Sequence, residues 1–293
     1  MEEYNMPTFT NQAQLSYNGI ITNSNVTSGQ IIEVLSASKT SVFENYSSGG
    51  EVTYVINIVN SGTIPYRDLT VTDNLGSFEL TTPTGGTITV NPLTYVDDSI
   101  LYFSNGVEQP DPTVDTTNGL VISGIVVPAN GNVTLVYVAE TNPFTPLAEG
   151  SSITNTATIS GADLGTPIEV THTITALCEP YLTIFKSLSP RQVPANGQVT
   201  YTFEIQNLGN TATTAADNVR VLDTFLPILT NITVYYNGVV LPESNYTYNA
   251  LTGEFATNAG VINVPAATFS RNPNTGEITT VPGEATLVIT GTI

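Results

Sequence analysis

Tryptophan is absent from this 293-residue chain, and cysteine and histidine occur once each. A single cysteine, Cys178, excludes an internal disulfide, so the chain must be held by its core or by some other covalent bond. Cys178 reads as a buried thiol at a domain junction. The single histidine, His172, reads as an exposed strand residue and leaves no Ser-His-acid relay to assemble. Basic residues are scarce: Lys and Arg total 6 against 25 Asp and Glu, for a net charge of −19. That balance excludes the basic stripe of a nucleic-acid groove and argues against an anionic membrane surface. No run of about 18 apolar residues exists to span a membrane. Loop acids such as Asp97, Asp98, Asp111 and Asp115 lack EF-type spacing. No phosphate loop and no metal-ligand cluster is present, so neither cofactor nor metal is expected.

What is abundant is Thr, Asn, Val, Ile, Gly and Pro, with only 11% charged residues, the composition of an all-β protein with many turns. Val52, Tyr54, Ile56 and Ile58 alternate onto one face of a strand, as do Val199, Tyr201, Phe203 and Ile205. Turn signals such as SSGGE, NSGTIP, TPTGG, PANGN and NPNTG punctuate the chain. Strands at this spacing predict β-sandwiches. An internal repeat organises them. Lys39, Tyr54, Asn60, Gly62 and Asp73 match Lys186, Tyr201, Asn207, Gly209 and Asp223, and NGNVTLVYVAE matches PGEATLVITGTI. The expected fold is all-β: two tandem Ig-like β-sandwiches, residues 35–177 and 178–293, preceded by an N-terminal segment, residues 1–34.

Four motifs recur: a lysine in the first strand, G-x-x-V-T-Y-x-x-x-x-N-x-G, V-x-D-x-L-x, and a closing T-N-x-A strand. Together they resemble the Ig-like bacterial surface repeat known as domain of unknown function eleven. The resemblance covers nearly the whole chain. It implies a structural role in a cell-surface or appendage protein, without turnover chemistry. This chain departs from the family by starting with a closing strand and ending without one. Thr10-Asn11-Gln12-Ala13 repeats Thr154-Asn155-Thr156-Ala157, whereas the chain stops at ATLVITGTI. Met1 and the polar start MEEYNMPTF favour a subunit over an arbitrary cut in a tandem array. They suit a protein whose secretion signal was removed, or one assembled inside a sporulating mother cell.

The only two lysines, Lys39 and Lys186, occupy the same place in the repeat. Strand parity puts Lys39 with Leu35 and Ala37, and Lys186 with Leu182 and Ile184. It puts Asp73 with Leu69 and Val71, and Asp223 with Val219 and Val221. Asn155 falls with Ile153, Ala157 and Ile159; Asn11 falls with Phe9, Ala13, Leu15 and Tyr17. Polar groups on apolar faces need a reason, because an unpaired buried charge costs several kcal/mol. One reason is an intramolecular amide of the kind found in Gram-positive pilins. Desolvation frees the lysine amine, and a protonated acid assists loss of ammonia. The acid must recur in both copies. Asp73 and Asp223 do, whereas Glu51 faces Gln198 and Glu204 faces Asn57.

The expected triads are Lys39, Asp73 and Asn155 within one sandwich, and Lys186 and Asp223 with Asn11 of another molecule. The N-terminal segment would then donate a strand, through Phe9, Ala13, Leu15 and Tyr17, to a neighbour's second sandwich. A heterologous interface of this kind grows filaments. The expectation is a structural subunit of an extracellular bacterial fibre, on a cell or spore surface, whose partner is itself. No enzymatic activity is expected beyond autocatalytic bond formation. Fold-back of the N-terminal strands onto their own second sandwich is a strained alternative. Another is a buried ion pair with no amide. A third is a monomeric adhesin or stalk segment that binds a ligand through loops, around Tyr235, Tyr236, Tyr246 or Tyr248.

Overall fold

A computed structural model describes residues 8–30, 33–117 and 119–293. Its N-terminal segment holds β1 (Thr8–Asn11), β2 (Gln14–Tyr17), β3 (Ile20–Asn23) and β4 (Thr27–Gln30). β2 and β3 meet across Asn18-Gly19, whose φ angles of 47° and 79° are those a two-residue hairpin turn requires. β1 pairs with β4, Phe9 opposite Gly29. A Cβ on Gly29 would lie 2.4 Å from the Phe9 ring, so a side chain there would displace the ring. The segment has no core of its own: Phe9, Leu15, Tyr17, Ile20 and Ile21 are all exposed. Among the described residues, no hydrogen bond or strand pairing ties β1–β4 to the rest of the molecule.

The first sandwich follows the alternation of its apolar residues. Its strands are β5 (Leu35–Ser41), β6 (Asn45–Tyr46), β7 (Glu51–Asn60), β8 (Tyr66–Asp73), β9 (Phe78–Thr81), β10 (Thr87–Val90) and β11 (Leu93–Tyr95). They continue as β12 (Leu101–Ser104), β13 (Val107–Gln109), β14 (Thr113–Asp115), β15 (Leu120–Val127), β16 (Gly131–Thr141), β17 (Ser152–Ser160) and β18 (Ile168–Ala176). One sheet runs β13-β12-β16-β7-β5 and the other β14-β15-β8-β17-β18-β6. Tyr54, Ile56, Ile58, Leu135 and Tyr137 of the first sheet meet Leu69, Val71, Ile122, Ala157 and Ile159 of the second. Burying side chains of this size contributes about 1.5–3 kcal/mol each.

The second sandwich contains β19 (Leu182–Ser189), β20 (Gln198–Asn207), β21 (Leu222–Thr224), β22 (Thr230–Tyr236) and β23 (Val239–Val240). After these come β24 (Tyr246–Tyr248), β25 (Glu254–Thr257), β26 (Thr268–Arg271), β27 (Ile278–Val281) and β28 (Gly283–Thr292). Its sheet β19-β20-β28-β22-β23 repeats β5-β7-β16-β12-β13 strand for strand. Its other sheet, β21-β25-β24, repeats only β8-β15-β14. Among the described residues nothing stands where β17, β18 and β6 stand, so the outer edge of β21 is unpaired. A separate core gathers Val199, Phe203, Ile205, Phe225, Phe255, Leu287 and Ile289.

The N-x-G motif is a corner clamp in both copies. Asn60 Nδ2 donates to the carbonyls of Ile64 (2.8 Å) and Pro128 (3.1 Å), and its Oδ1 accepts from Gly62 N (2.9 Å). Asn207 repeats this with Thr211, Pro265 and Gly209 at 2.8, 3.0 and 2.9 Å. A side chain on Gly209 would strike the Glu179 carbonyl at 2.2 Å, which is why the motif needs glycine. Two expectations are corrected here. Cys178 is exposed, because it lies on the connection between β18 and β19, outside either sheet. His172 is half-buried, because its ring lies edge-on to Tyr54 and its Nε2 contacts Ser41 Oγ at 2.8 Å.

Candidate functional site

Strand alternation brings three sequence-predicted residues of the first sandwich together. Lys39 sits on β5, Asp73 at the end of β8 and Asn155 on β17, all inward and buried. Lys39 Nζ donates to Asp73 Oδ2, and both side chains are wholly shielded from solvent. Asp73 Oδ1 accepts from Leu75 N at 2.9 Å. The group at the centre is one that parity alone did not single out, Tyr137 of β16. Its Oη donates to Asp73 Oδ2, accepts from Lys39 Nζ at 3.1 Å and accepts from Asn155 Nδ2 at 3.3 Å. The signal for it was legible in VTLVYVA, where Val133, Leu135, Tyr137 and Ala139 share the inward face and only Tyr137 carries a hydroxyl.

Aromatic rings wall the site. Tyr54 and Tyr137 stack at 5.5 Å, and Lys39 Nζ lies 4.8 Å from the Tyr54 ring centre. Burial pushes the Lys39 amine down to about 8, against the pull of the Asp73 carboxyl beside it. A neutral, nucleophilic amine is therefore accessible near physiological pH. Two buried polar atoms have no hydrogen-bond partner among the described residues, Asn155 Oδ1 and Tyr54 Oη. Satisfied cores leave few such atoms, and each asks for an explanation.

These groups set a pH dependence. The folded value for Lys39 lies below its ordinary 10.5, so from about pH 8 upward the unfolded chain holds the extra proton and stability rises with pH. Near pH 10 the slope reverses, because burial holds Tyr46, Tyr54 and Tyr137 above their ordinary 10.0. An Asn155→Ala chain, in which no amide can form, is expected to gain about 1 kcal/mol between pH 8 and pH 9.5. Urea unfolding across that range measures it, and a flat or falling profile contradicts a buried, depressed Lys39.

The second sandwich holds the same pair in a different state. Lys186 Nζ donates to Asp223 Oδ2 and lies 4.8 Å from the Tyr201 ring centre. Here the lysine side chain is 41% exposed and the aspartate 16%. Parity put Lys186 on a face with Leu182 and Ile184, and among the described residues no strand lies over that stretch of β19. Ile184 of β19 is also exposed. Opposite Tyr201 stands Ile289, in the register where Tyr137 opposes Tyr54. Asn11, Phe9, Ala13, Leu15 and Tyr17 all lie exposed on the N-terminal segment, and Asn11 is not brought to Lys186 within the chain.

Other candidates carry less. Ser41 and Glu44 both approach His172 at Nε2, at 2.8 and 3.3 Å, whereas a catalytic relay needs the acid on the other ring nitrogen. Tyr236, Tyr246 and Tyr248 are half-buried against the second core, and Tyr248 Oη donates to the Leu229 carbonyl at 2.8 Å. They do not form an exposed aromatic patch.

Fold and site together define an all-β chain of two immunoglobulin-like sandwiches, one closed around a buried lysine–aspartate pair and one open at a strand edge. No family model and no curated protein matches the sequence. Solved structures similar to it include BcpA, the major pilin subunit of Bacillus cereus, at 14% identity and a TM-score of 0.36, with 95% of this chain and 73% of that one covered. The RrgB pilus protein of Streptococcus pneumoniae matches at 12% identity and 0.34, covering 89% of this chain. A family 123 glycoside hydrolase of Clostridium perfringens matches at 11% and 0.30, over 50% of this chain. The chain spans 41% of the length of RrgB and 27% of that of the hydrolase.

Proposed function

We propose that this chain is a structural subunit of an extracellular bacterial fibre. Lys39 and Asn155 become joined by an amide inside the first sandwich. Subunits join head to tail when the N-terminal strands of one enter the open edge of the next, where Asn11 is joined to Lys186. The amine attacks the asparagine Cγ, ammonia leaves, and Asp73 or Asp223 handles the protons. Fixed geometry supplies the effective molarity that a slow aminolysis needs.

One observation carries the reading. β1 and β4 pair in the register of β17 and β18: Thr8 opposes Gln30 and Asn11 opposes Thr27, as Ser152 opposes Thr175 and Asn155 opposes His172. In the first sandwich Ala157 opposes Asp73 and Ile159 opposes Val71. Transferred to the second, Ala13 opposes Asp223, Leu15 opposes Val221, and Asn11 takes the place of Asn155 beside a lysine. Phe9 over Gly29 supplies apolar bulk where Ile153 opposes Ile174. The donated strand adds a ladder of main-chain hydrogen bonds, and its alternate side chains fill the core.

Leu15→Asp tests the reading, because it places a charge against Val221. Wild-type chain is expected to form fibres by negative-stain electron microscopy, and Leu15→Asp to remain monomeric by light scattering with both sandwiches folded. Fibres of unchanged yield from Leu15→Asp would sink strand donation.

A further inference from the structure

Resting on the amide proposed for the first sandwich, we infer that Tyr137 is the proton relay of that reaction, and that Ile289 leaves the second site without one. As the Lys39 Nζ–Asn155 Cγ bond forms and the Cγ–Nδ2 bond breaks, the amine must shed a proton and the departing nitrogen must gain one. Asp73 Oδ2 contacts Lys39 Nζ and Tyr137 Oη. No hydrogen bond links Asp73 to Asn155. Among the described residues Tyr137 Oη alone touches acid, nucleophile and leaving group, at 3.1 Å from Lys39 Nζ and 3.3 Å from Asn155 Nδ2. Asp73 accepts the proton the amine sheds. The Tyr137 hydroxyl passes its own proton to Nδ2 and is replenished from Asp73. Ammonia leaves, and acid and phenol end as they began.

The site is shielded from bulk solvent, which therefore offers no proton path: Asp73, Lys39, Tyr137 and Asn155 are all buried. In the second sandwich the facing position holds Ile289, which is also buried and has no proton to give. The bond to Lys186 must then form with Asp223 alone handling the protons. It forms more slowly than the bond in the first sandwich, and strand-joined fibres precede their cross-linking.

The test is intact mass of freshly purified full-length chain, followed over time. Wild type is expected to have lost one ammonia by the time it is purified. Tyr137→Phe, which removes only the hydroxyl, is expected to begin at full mass and lose ammonia about 100-fold or more slowly. Loss from Tyr137→Phe at the wild-type rate overturns the relay and leaves the amide standing. Wild type that stays at full mass overturns the amide, and the relay with it. Should Tyr137→Phe fold poorly, a fluorinated tyrosine at 137 keeps the shape and alters the acidity of the hydroxyl. A changed rate supports the relay, and an unchanged rate overturns it.

Discussion

Boiled in detergent and reductant, assembled wild-type chain is expected to run on a denaturing gel as a ladder of multiples of 31.0 kDa, and Lys186→Arg to collapse it to one band. Arginine keeps the charge and the pairing with Asp223 but cannot form the amide, so the fibre survives and only the covalent seam is lost. Asn11→Ala removes the other half of the bond and gives the same single band. A mixture of the two variants separates joining between molecules from fold-back. Lys186→Arg still donates Asn11, and Asn11→Ala still offers Lys186, so one bond forms and growth stops at a covalent dimer. Fold-back within one chain gives no dimer from the mixture, and gives wild type a single band whose mass lacks two ammonias. Loss of the ladder leaves the strand contact to hold the fibre by burial of Leu15 and Phe9 and by its ladder hydrogen bonds. Such fibres are expected to dissolve on boiling.

The inward placing of Lys39, Asp73 and Asn155 was legible in the sequence because strand parity is a strict rule. Leu35, Ala37 and Lys39 share a face in any straight strand, and the repeat of Lys39, Asp73 and Asn60 as Lys186, Asp223 and Asn207 marked those residues as candidates. Parity names a face but not what lies over it. For that reason Lys39 is sealed and Lys186 is not, although the two hold the same place in the repeat: β17 and β18 close the first sandwich, and nothing among the described residues closes the second. Tyr137 was passed over because an inward tyrosine on an apolar strand reads as core. Its hydroxyl gains meaning only when β5, β8 and β17 converge on it. Its replacement by Ile289 stands in NGNVTLVYVAE against PGEATLVITGTI, where a repeat match does not tell a functional change from drift. Cys178 and His172 were misplaced for a related reason, since connection geometry and a cross-sheet contact to Ser41 leave no local pattern.

Asp73→Ala is expected to open the first sandwich, a larger effect than that of Asn155→Ala. A bond between positions 39 and 155 closes a loop of more than a hundred residues, and closure on that scale is worth about 5 kcal/mol by the chain-entropy argument used for disulfides. Asn155→Ala forfeits that amount and leaves the Lys39–Asp73 pair intact. Asp73→Ala forfeits it as well, because the proton acceptor is gone, and also strands Lys39 without a counter-charge among Tyr54, Tyr137 and Ile56. Breaking a buried pair in this way costs a further 3–5 kcal/mol or so. The combined loss is on the scale of a whole domain's stability, about 5–15 kcal/mol. Urea unfolding followed by circular dichroism, with limited proteolysis of residues 35–177, measures both variants. If the site is an ion pair without an amide, Asn155→Ala costs about 1 kcal/mol or less, since it removes one weak hydrogen bond to Tyr137 together with an unpartnered carbonyl. Asp73→Ala then costs only the broken pair. The cost of Asn155→Ala therefore decides between bond and ion pair, and the further cost of Asp73→Ala measures what the buried lysine needs from its acid.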